Sequence, residues 1–290
     1  MSDHGIGRVA VIGAGTMGHG IAQVCALAGH ETVLQDVDPE QLERALARIG
    51  DTLDKGVRLG KVEAASRDAA WKRLSGTAEL SEAVEKTDLV IEAVPEVIEL
   101  KRRIFREVAE AVSGEVILAS NTSSLSVTRI GAGLPAPGRF LGLHFFNPVH
   151  IMALVEVVHG DDTDAAVVDR CLAFAKGLGK EPIVVADSPG FASSRLGVVL
   201  GLEAMRMVEA GVASPADIDK AMVLGYRHPM GPLRLTDLVG LDVRLGIARY
   251  LHETLKSEAF RPPAILERMV AEGRLGTKTG KGFYDWDTER

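Results

Sequence analysis

Hydrophobic and polar residues follow two different periods in the first part of the chain, up to residue 187. Short runs rich in β-branched and aliphatic residues predict strands, and longer segments with helical periodicity predict helices between them. The predicted strands are RVAVIG, TVLQD, DLVIEAV, EVILAS, RFLGLHFF, MALVEVV and EPIVVA, and the predicted helices include TMGHGIAQVCALAG, PEQLERALARIGDTLDKGV and residues 97–112 and 165–178. Because strands alternate with helices, we expect a mostly parallel sheet that helices cover on both faces.

The pattern changes after the segment DSPG at residues 187–190. From Phe191 to about Arg274 the chain shows helical periodicity and turns, without a convincing strand. The predicted fold class is therefore α/β, with a parallel-sheet domain at residues 1–187 and an all-helical domain at residues 188–290. The leucine- and alanine-rich helices of the second domain exceed what one core of about 100 residues needs, which favours a homodimer interface.

The composition is that of an ordinary soluble globular protein, with 25% charged and 46% hydrophobic residues. The net charge of −7 and the lack of a dense lysine and arginine stripe argue against nucleic acid or an anionic membrane as a partner. No apolar run approaches the roughly 20 residues of a membrane span, and no signal peptide is evident, so we expect a cytoplasmic location. Cys25 and Cys171 lack metal-binding spacing, which predicts buried free thiols and no metal site.

A glycine-rich turn follows the first predicted strand and opens the first predicted helix. In VIGAGTMGHG, the spacing G-x-G-x-x-G is formed by Gly13, Gly15 and Gly18, with Thr16 and Met17 completing the loop. The first glycine permits a tight turn, the second lets backbone N–H groups approach a pyrophosphate, and the third allows close helix packing. This context predicts dinucleotide binding, and the fingerprint by itself fits FAD as well as NAD.

Asp36 ends the second predicted strand, where its carboxylate would accept hydrogen bonds from an adenosine ribose diol. The same charge would repel a 2′-phosphate, and no basic residue follows until Arg44, so NAD is favoured over NADP. The alternative role for Asp36 is to cap the next helix, which Asp38 could equally do.

Glu156 lies inside the apolar strand MALVEVV, where an unpaired ionised carboxylate would cost several kcal/mol. His144 lies on the other arm of a segment that reverses at Asn147-Pro148, so antiparallel arms would bring the two side chains together. A carboxylate on one imidazole nitrogen fixes the tautomer and leaves the other nitrogen as a directed base. The alternative is a structural buried ion pair, but the nearby nucleotide motif favours general base catalysis.

The polar loop ASNTSSL, residues 119–125, follows a predicted strand. In open α/β sheets such loops bind ligands, and residues 120–124 offer hydroxyl and amide groups for this purpose. The alternative is that these residues cap the following helix. His150 and His159 flank the MALVEVV strand near expected loop ends, which predicts that both are exposed to solvent.

Six segments together resemble the short-chain-length NAD-dependent 3-hydroxyacyl-CoA dehydrogenases, a family that includes 3-hydroxybutyryl-CoA dehydrogenase. The resemblance runs from about residue 6 to residue 286. It implies a Rossmann-type NAD-binding domain, a helical domain that usually forms a dimer, and an acyl-CoA thioester as substrate. The segments are VIGAGTMGHGIAQVCALAGH, SNTSSL, LHFFNPVHIMALVEVV, DSPGF, GYRHPMGP and KTGKGFYDW.

The resemblance assigns catalytic roles to three residues: His144 as general base, Glu156 as its orienting partner, and Ser123 as a hydrogen-bond donor to the 3-oxygen of the substrate. Cofactor contacts are implied for Glu96, Lys101 and Lys278. For Glu96 the alternative is a helix cap, and for the two lysines it is a solvated charge.

Substrate contacts are also implied by the resemblance. Asn147 and Ser194 match substrate-facing positions, although the family often has asparagine where this chain has Ser194, so the shorter serine leaves the substrate orientation there open. Lys55, Arg58 or Lys61 could pair with the phosphates of CoA. A solvated helix face is the alternative for these three basic residues.

The implied reaction is the reversible oxidation of a (3S)-3-hydroxyacyl-CoA to the 3-ketoacyl-CoA. The acyl group is expected to be short, and a four-carbon thioester and a dicarboxylic 3-hydroxyadipyl thioester both remain open. β-Oxidation, polymer or butanoate synthesis and aromatic breakdown share this step. Two rival hypotheses are a β-hydroxyacid dehydrogenase of free acids, which typically uses a catalytic lysine, and a non-catalytic NAD-binding protein of the same fold.

Overall fold

A computed structural model describes residues 5–287 and divides the chain into two compact units. The first unit ends at Ser188 and the second begins at Pro189. Within the described residues, every helix is too short or too polar to cross a membrane.

The first unit is built on one eight-stranded sheet in the order β3-β2-β1-β4-β5-β6-β7-β8. All neighbouring strands are parallel except β6 and β7, which are antiparallel. The strands are β1 Arg8–Ile12, β2 Glu31–Gln35, β3 Leu74–Thr77, β4 Leu89–Glu92, β5 Ile117–Ser120, β6 Phe140–Phe145, β7 Leu154–His159 and β8 Glu181–Ala186. The predicted α/β class with a mostly parallel sheet is confirmed.

Helices connect the strands of this sheet. They are α1 Gly18–Leu27, α2 Pro39–Arg58, α3 Ala64–Arg73, α4 Leu80–Val84, α5 Ile98–Ala111, α6 Val127–Gly131 and α7 Ala165–Gly177. Helix α2 is amphipathic, and its apolar face packs into the core of this unit. The buried residues of that face are Leu42, Ala45, Ile49 and Leu53. Its N-cap is Asp38, whose side chain accepts a hydrogen bond from the backbone N–H of Glu40.

Strand β3 was not predicted from the sequence. Its four residues, LSGT, are only partly buried and include a glycine, so the hydrophobic pattern of a strand is missing. Pairing with β2 creates this edge strand, and that pairing is a tertiary contact rather than a local propensity.

The second unit is helical, as predicted. Its core is formed by apolar side chains such as Leu202, Met205, Leu233 and Leu251. The helices within residues 189–287 are α8 Ser193–Glu209, α9 Pro215–Tyr226, α10 Pro232–Val239, α11 Leu241–Leu255 and α12 Ala264–Ala271.

The segment that follows α12 is tied to this unit through the fully buried carboxylate of Asp237. That carboxylate accepts hydrogen bonds from the backbone N–H groups of Phe283 and Tyr284 and from the indole N–H of Trp286. A buried carboxylate with three donors explains why this glycine-rich segment packs here.

Candidate active site

The strand order reverses direction around β1, which lies between β2 and β4. In open α/β sheets, ligands bind in the crevice at the carboxyl ends of the strands where the strand order reverses. A cleft of about 720 Å³ opens at this point, lined by residues that include Gly13, Gly15, Asp36, Val94 and Ile104. The predicted glycine loop and the predicted ribose-binding acid therefore share one cleft.

Two of the three glycines of the loop, Gly13 and Gly18, lie where the backbone leaves no room for a side chain. Gly13 has a φ of +98°, and a Cβ there would lie 2.9 Å from the carbonyl oxygen of Ala93. A Cβ on Gly18 would lie 1.7 Å from the carbonyl oxygen of Gly13, so only glycine lets α1 start this close to the turn. Gly15 faces open space, with no atom within 4 Å of a Cβ placed there. Thr16 is exposed and Met17 is half-buried just before α1.

Asp36 is held by two backbone donors at the rim of the same cleft. Its Oδ2 accepts from the N–H of Ala14 at 2.7 Å, and its Oδ1 accepts from the N–H of Asp38 at 3.0 Å. The first basic residue after it, Arg44, is paired with Asp38 and Glu40. The loop, the open position at Gly15 and this fixed carboxylate fit an adenosine dinucleotide that carries a free 2′-hydroxyl.

His144 and Glu156 face each other across the antiparallel pair β6 and β7. The imidazole Nδ1 lies 2.7 Å from Glu156 Oε2, and the glutamate is fully buried. Directly opposed residues of neighbouring strands place their side chains on the same face of the sheet, so strand register alone brings this pair together. Asn147, in the turn that joins the two strands, is exposed.

Lys101 was predicted to contact the cofactor, with a solvated charge as the alternative. The structure contradicts the solvated charge, because the residue is only 1% exposed. Its ammonium group donates to Glu92 Oε1 at 2.7 Å and to the carbonyl of Val94 at 3.2 Å, and it lies 3.3 Å from Glu96 Oε2. Burial raises the pKa of Glu92, and the charge of Lys101 opposes that shift.

Glu96 does not cap a helix, which was its alternative role. Helix α5 has Val97 as its N-cap, and Glu96 Oε1 instead accepts hydrogen bonds from the Thr122 hydroxyl at 2.6 Å and from the backbone N–H groups of Ser123 and Ser124. Burial disfavours the charge of Glu96, but Lys101 and these donors outweigh it and hold its pKa below the ordinary value. Glu96 therefore connects the buried lysine to the loop that carries Ser123.

The polar loop is organised by its own side chains, and none of residues 120–124 caps α6. That helix has Ser126 as its N-cap, outside the predicted group. Ser120 donates to Glu92 Oε2 at 2.6 Å, and Asn121 Oδ1 accepts from the N–H of Phe145 at 2.8 Å. The start of the loop is thus fixed to β4 and to the end of the strand that carries His144.

A second cleft, of about 750 Å³, lies beside α1, α2 and the end of α7. Lys55, Arg58 and Lys61 were predicted as CoA contacts. Lys55 and Lys61 line this cleft, whereas Arg58 does not. The apolar part of the lining includes Val24, Leu27, Leu59, Val62 and Ile151.

Sequence reasoning missed two further basic residues of this cleft, His150 and Lys180. His150 is exposed, as predicted, but burial by its neighbours and the charges of Lys180, His19, Lys55 and Lys61 lower its pKa. Lys180 is buried and donates to the carbonyls of Val149 and Met152. No spacing in the sequence connects these residues, because the fold assembles them from separate segments. His159 is half-buried in β7 and so less exposed than predicted.

Two predicted residues belong to the second unit. Lys278 is not a freely solvated charge, because its ammonium group forms a 2.5 Å ion pair with Asp242. Ser194 lies in the first turn of α8 and is half-buried.

The sheet order, the glycine loop and the fixed Asp36 define a dinucleotide-dependent enzyme of the Rossmann type, with NAD as its cofactor. Residues 8–188 match the 3-hydroxyacyl-CoA dehydrogenase NAD binding domain, and residues 190–286 match the 3-hydroxyacyl-CoA dehydrogenase C-terminal domain. The chain belongs to the 3-hydroxyacyl-CoA dehydrogenase family, which confirms the family expected from the sequence.

Several named proteins resemble the chain over nearly its full length. A 3-hydroxybutyryl-CoA dehydrogenase of Mycobacterium tuberculosis is 45% identical over 288 residues, covering 99% of this chain and 100% of the relative. A 3-hydroxyadipyl-CoA dehydrogenase of Escherichia coli is 42% identical over 97% of this chain, which spans 59% of that longer protein. The crystal structure of (S)-3-hydroxybutyryl-CoA dehydrogenase from Ralstonia eutropha has a TM-score of 0.93 at 40% identity, covering 97% of this chain and 99% of the other.

Proposed function

We propose that this chain catalyses the reversible oxidation of a short-chain (3S)-3-hydroxyacyl-CoA to the 3-ketoacyl-CoA, with His144 and Glu156 as its acid–base dyad. The observation that carries the proposal is the 2.7 Å contact between His144 Nδ1 and the buried carboxylate of Glu156. The 3-hydroxybutyryl-CoA dehydrogenases that resemble the chain support a short acyl group.

The dyad provides a proton acceptor that the fold has already oriented. Glu156 accepts a hydrogen bond from Nδ1 and thereby leaves Nε2 as the nitrogen that takes the proton of the substrate hydroxyl. Because the carboxylate is fully buried, it stabilises the imidazolium in a medium of low dielectric constant. When the reaction runs in reverse, the imidazolium returns the proton. NAD supplies the hydride acceptor.

Ser123 is the proposed donor to the substrate 3-oxygen. Its backbone N–H is fixed on Glu96, which Lys101 in turn holds, so the loop is rigid before the substrate arrives. Such preorganisation lets a hydroxyl group stabilise developing charge without first reorganising. Lys101 acts on the cofactor region through Glu96, since its own ammonium group is enclosed.

The second cleft is the proposed site for the CoA part of the substrate. Lys55, Lys61 and His150 would attract the phosphates, and the apolar lining would accept the pantetheine arm. Lys180 adds positive charge, although its hydrogen bonds go to main-chain carbonyls. Asn147 and Ser194 are the remaining proposed substrate contacts, and Lys278 is the remaining proposed cofactor contact.

A homodimer through the second unit is also proposed. Helices α9, α10 and α11 expose the large apolar side chains Leu224, Tyr226, Leu238, Val239 and Val243, which a second copy of the chain would cover. Light scattering after size exclusion should give twice the 30.9 kDa chain mass. A monomeric mass at micromolar concentration would contradict the dimer.

One assay separates the proposed function from its rivals. The expected result is NADH consumption with acetoacetyl-CoA and none with free acetoacetate. Turnover of free acetoacetate instead would identify a β-hydroxyacid dehydrogenase. NADH binding without turnover of any thioester would identify a non-catalytic protein. A dicarboxylic six-carbon thioester is a second candidate substrate, because a relative named 3-hydroxyadipyl-CoA dehydrogenase is 42% identical to the chain.

A further inference from the structure

Asn121 connects the polar loop to the strand that carries His144. It is the first residue after β5, and its side-chain Oδ1 accepts a hydrogen bond from the backbone N–H of Phe145 at 2.8 Å. Its own backbone N–H donates to the carbonyl of Glu92 at 2.7 Å. A single residue therefore contacts the ends of β4 and β6, the two strands that flank β5.

The end of β6 extends past the end of its neighbour β5. The pairing of β5 with β6 ends at Ser120 and Gly142, whereas the pairing of β6 with β7 continues through Phe145. Phe145 is only 2% exposed, so its N–H group needs an acceptor within the protein. The carboxamide oxygen of Asn121 supplies that acceptor and takes the place of a carbonyl that a longer β5 would offer.

The N–H group that Asn121 holds belongs to the residue that follows His144. Glu156 holds the imidazole from the side of β7, and Asn121 holds the adjoining backbone from the side of β5. The position of an imidazole follows the backbone that carries it, so both contacts limit its movement. A histidine that takes a proton needs this restraint, because proton transfer requires hydrogen-bond distance to the reacting oxygen.

Asn121 is also two residues from Ser123 along the chain. Ser123 is the proposed donor to the 3-oxygen of the substrate, and His144 is proposed to exchange a proton with the same oxygen. Two groups that act on one atom must keep a fixed separation. Asn121 connects them, because its backbone begins the loop of Ser123 and its side chain binds the strand of His144.

We propose that Asn121 is a positioning residue, which sets the distance between Ser123 and His144 through the hydrogen bond of its carboxamide oxygen to Phe145. This inference rests on the proposed function, in which both residues act on the 3-oxygen. Asn121 thus acts through the main chain rather than on the substrate. Loss of the acceptor should slow the chemical step without weakening the binding of substrate or cofactor.

The test compares Asn121→Leu, which removes the acceptor at similar volume, with Asn121→Asp, which keeps an oxygen at the same place. The measured quantities are the single-turnover rate of NADH oxidation by acetoacetyl-CoA and the KM values for both reactants. We expect Asn121→Leu to lower the rate about tenfold, because small displacements of catalytic groups are costly, while both KM values stay within about twofold. Asn121→Asp should recover most of that loss.

Thr163→Val is the matched control at the other end of β6. The Thr163 hydroxyl donates to the carbonyl of Phe140, the first residue of β6, at 2.7 Å, so this variant also removes a side-chain hydrogen bond to the strand. Its single-turnover rate should match that of the wild type, even where urea unfolding shows equal destabilisation of the two variants. Equal losses of rate in Thr163→Val and Asn121→Leu would show a purely structural role and overturn the inference.

Two further outcomes would overturn it: an unchanged rate in Asn121→Leu, or a rate in Asn121→Asp as low as that in Asn121→Leu. Should Asn121→Leu not fold, Asn121→Ser replaces it, because the serine oxygen lies closer to its own backbone and does not reach Phe145. The wild-type protein tests the proposed function separately. If it did not oxidise NADH with acetoacetyl-CoA, that function would be contradicted whatever the variants did.

Discussion

Lys101 and Glu92 form an ion pair that solvent does not reach. The ammonium nitrogen lies 2.7 Å from Glu92 Oε1, and the two side chains are 1% and 0% exposed. The pair lies at the end of β4, beside the crevice where the strand order reverses, and its lysine also holds Glu96. A charged pair in this place links the stability of the first unit to the geometry of its proposed active site.

Replacement of Lys101 by methionine should destabilise the protein by about 3–5 kcal/mol, because it leaves Glu92 buried without its counter-charge. Urea unfolding measures the free energy. The matched control is Lys176→Met at an exposed position of α7, for which a change within about 0.5 kcal/mol is expected. Equal effects of the two substitutions would show that the buried pair is not important for stability. The double variant Glu92→Leu with Lys101→Met should recover much of the loss.

Glu96 should contribute stability that disappears in acid. Its pKa is lower in the folded protein than in the unfolded chain, so its contribution is complete above the ordinary glutamate pKa of about 4.3 and is lost as the pH falls through the folded value. In Glu96→Gln this part of the acid dependence should be missing. Urea unfolding of the wild type and the variant at pH values from about 3 to about 7, a range that brackets the pKa of a carboxyl group, would give the two free energies of unfolding to compare. Identical pH profiles for the variant and the wild type would contradict the assignment.

Glu156→Gln should fold and bind NADH but lose turnover by a factor of about 100 or more, the range typical of a general acid–base group. Glutamine keeps the shape of the side chain but cannot stabilise the imidazolium. Steady-state kinetics with acetoacetyl-CoA give kcat, and NADH fluorescence gives the cofactor affinity. A kcat close to that of the wild type would eliminate the dyad, and a loss of NADH binding would indicate a structural role instead.

Asp36 should control the choice between NADH and NADPH. Asp36→Ser combined with Val37→Arg removes the charge that repels a 2′-phosphate and adds a basic residue at a position that is 85% exposed beside the cleft. The ratio of kcat/KM for NADPH to that for NADH should rise about 100-fold, or about 2.7 kcal/mol. Asp38→Asn is the control, since it weakens the cap of α2 and the ion pair with Arg44 but leaves Asp36 unchanged. If both variants shifted cofactor preference alike, Asp36 would not be the determinant.

Lys55 and Arg58 lie one turn apart on α2, but only Lys55 lines the cleft proposed for CoA. Lys55→Met should therefore raise the KM for acetoacetyl-CoA about fivefold, in keeping with about 1 kcal/mol for an exposed charge pair, without changing the KM for NADH. Arg58→Met should change neither value. A larger effect from Arg58→Met would place the phosphates outside this cleft.

The sequence predicted those features whose physical cause is local. The glycine spacing follows from backbone conformation at Gly13 and close packing at Gly18. The contact between His144 and Glu156 follows from two strands joined by one turn, because a period of two and an antiparallel register place both side chains on one face.

Other features could not be predicted, because distant segments create them. Edge strand β3 exists through its pairing with β2, and the basic cleft combines α2, the turn at His150 and Lys180 after α7. A lysine in an amphipathic helix suggests a solvated charge, and only the position of α5 against the end of β4 shows that Lys101 is enclosed.

The amino-acid order by itself determined the parallel sheet, the dinucleotide loop, the acid–histidine pair and the family, since each depends on spacing over a short stretch of chain. Tertiary structure decided which charges are enclosed and which partners they have, as Lys101 and Lys180 illustrate. The physical reason is that the cost of burying a charge depends on the atoms packed around it, and those atoms come from helices and strands far apart in the chain.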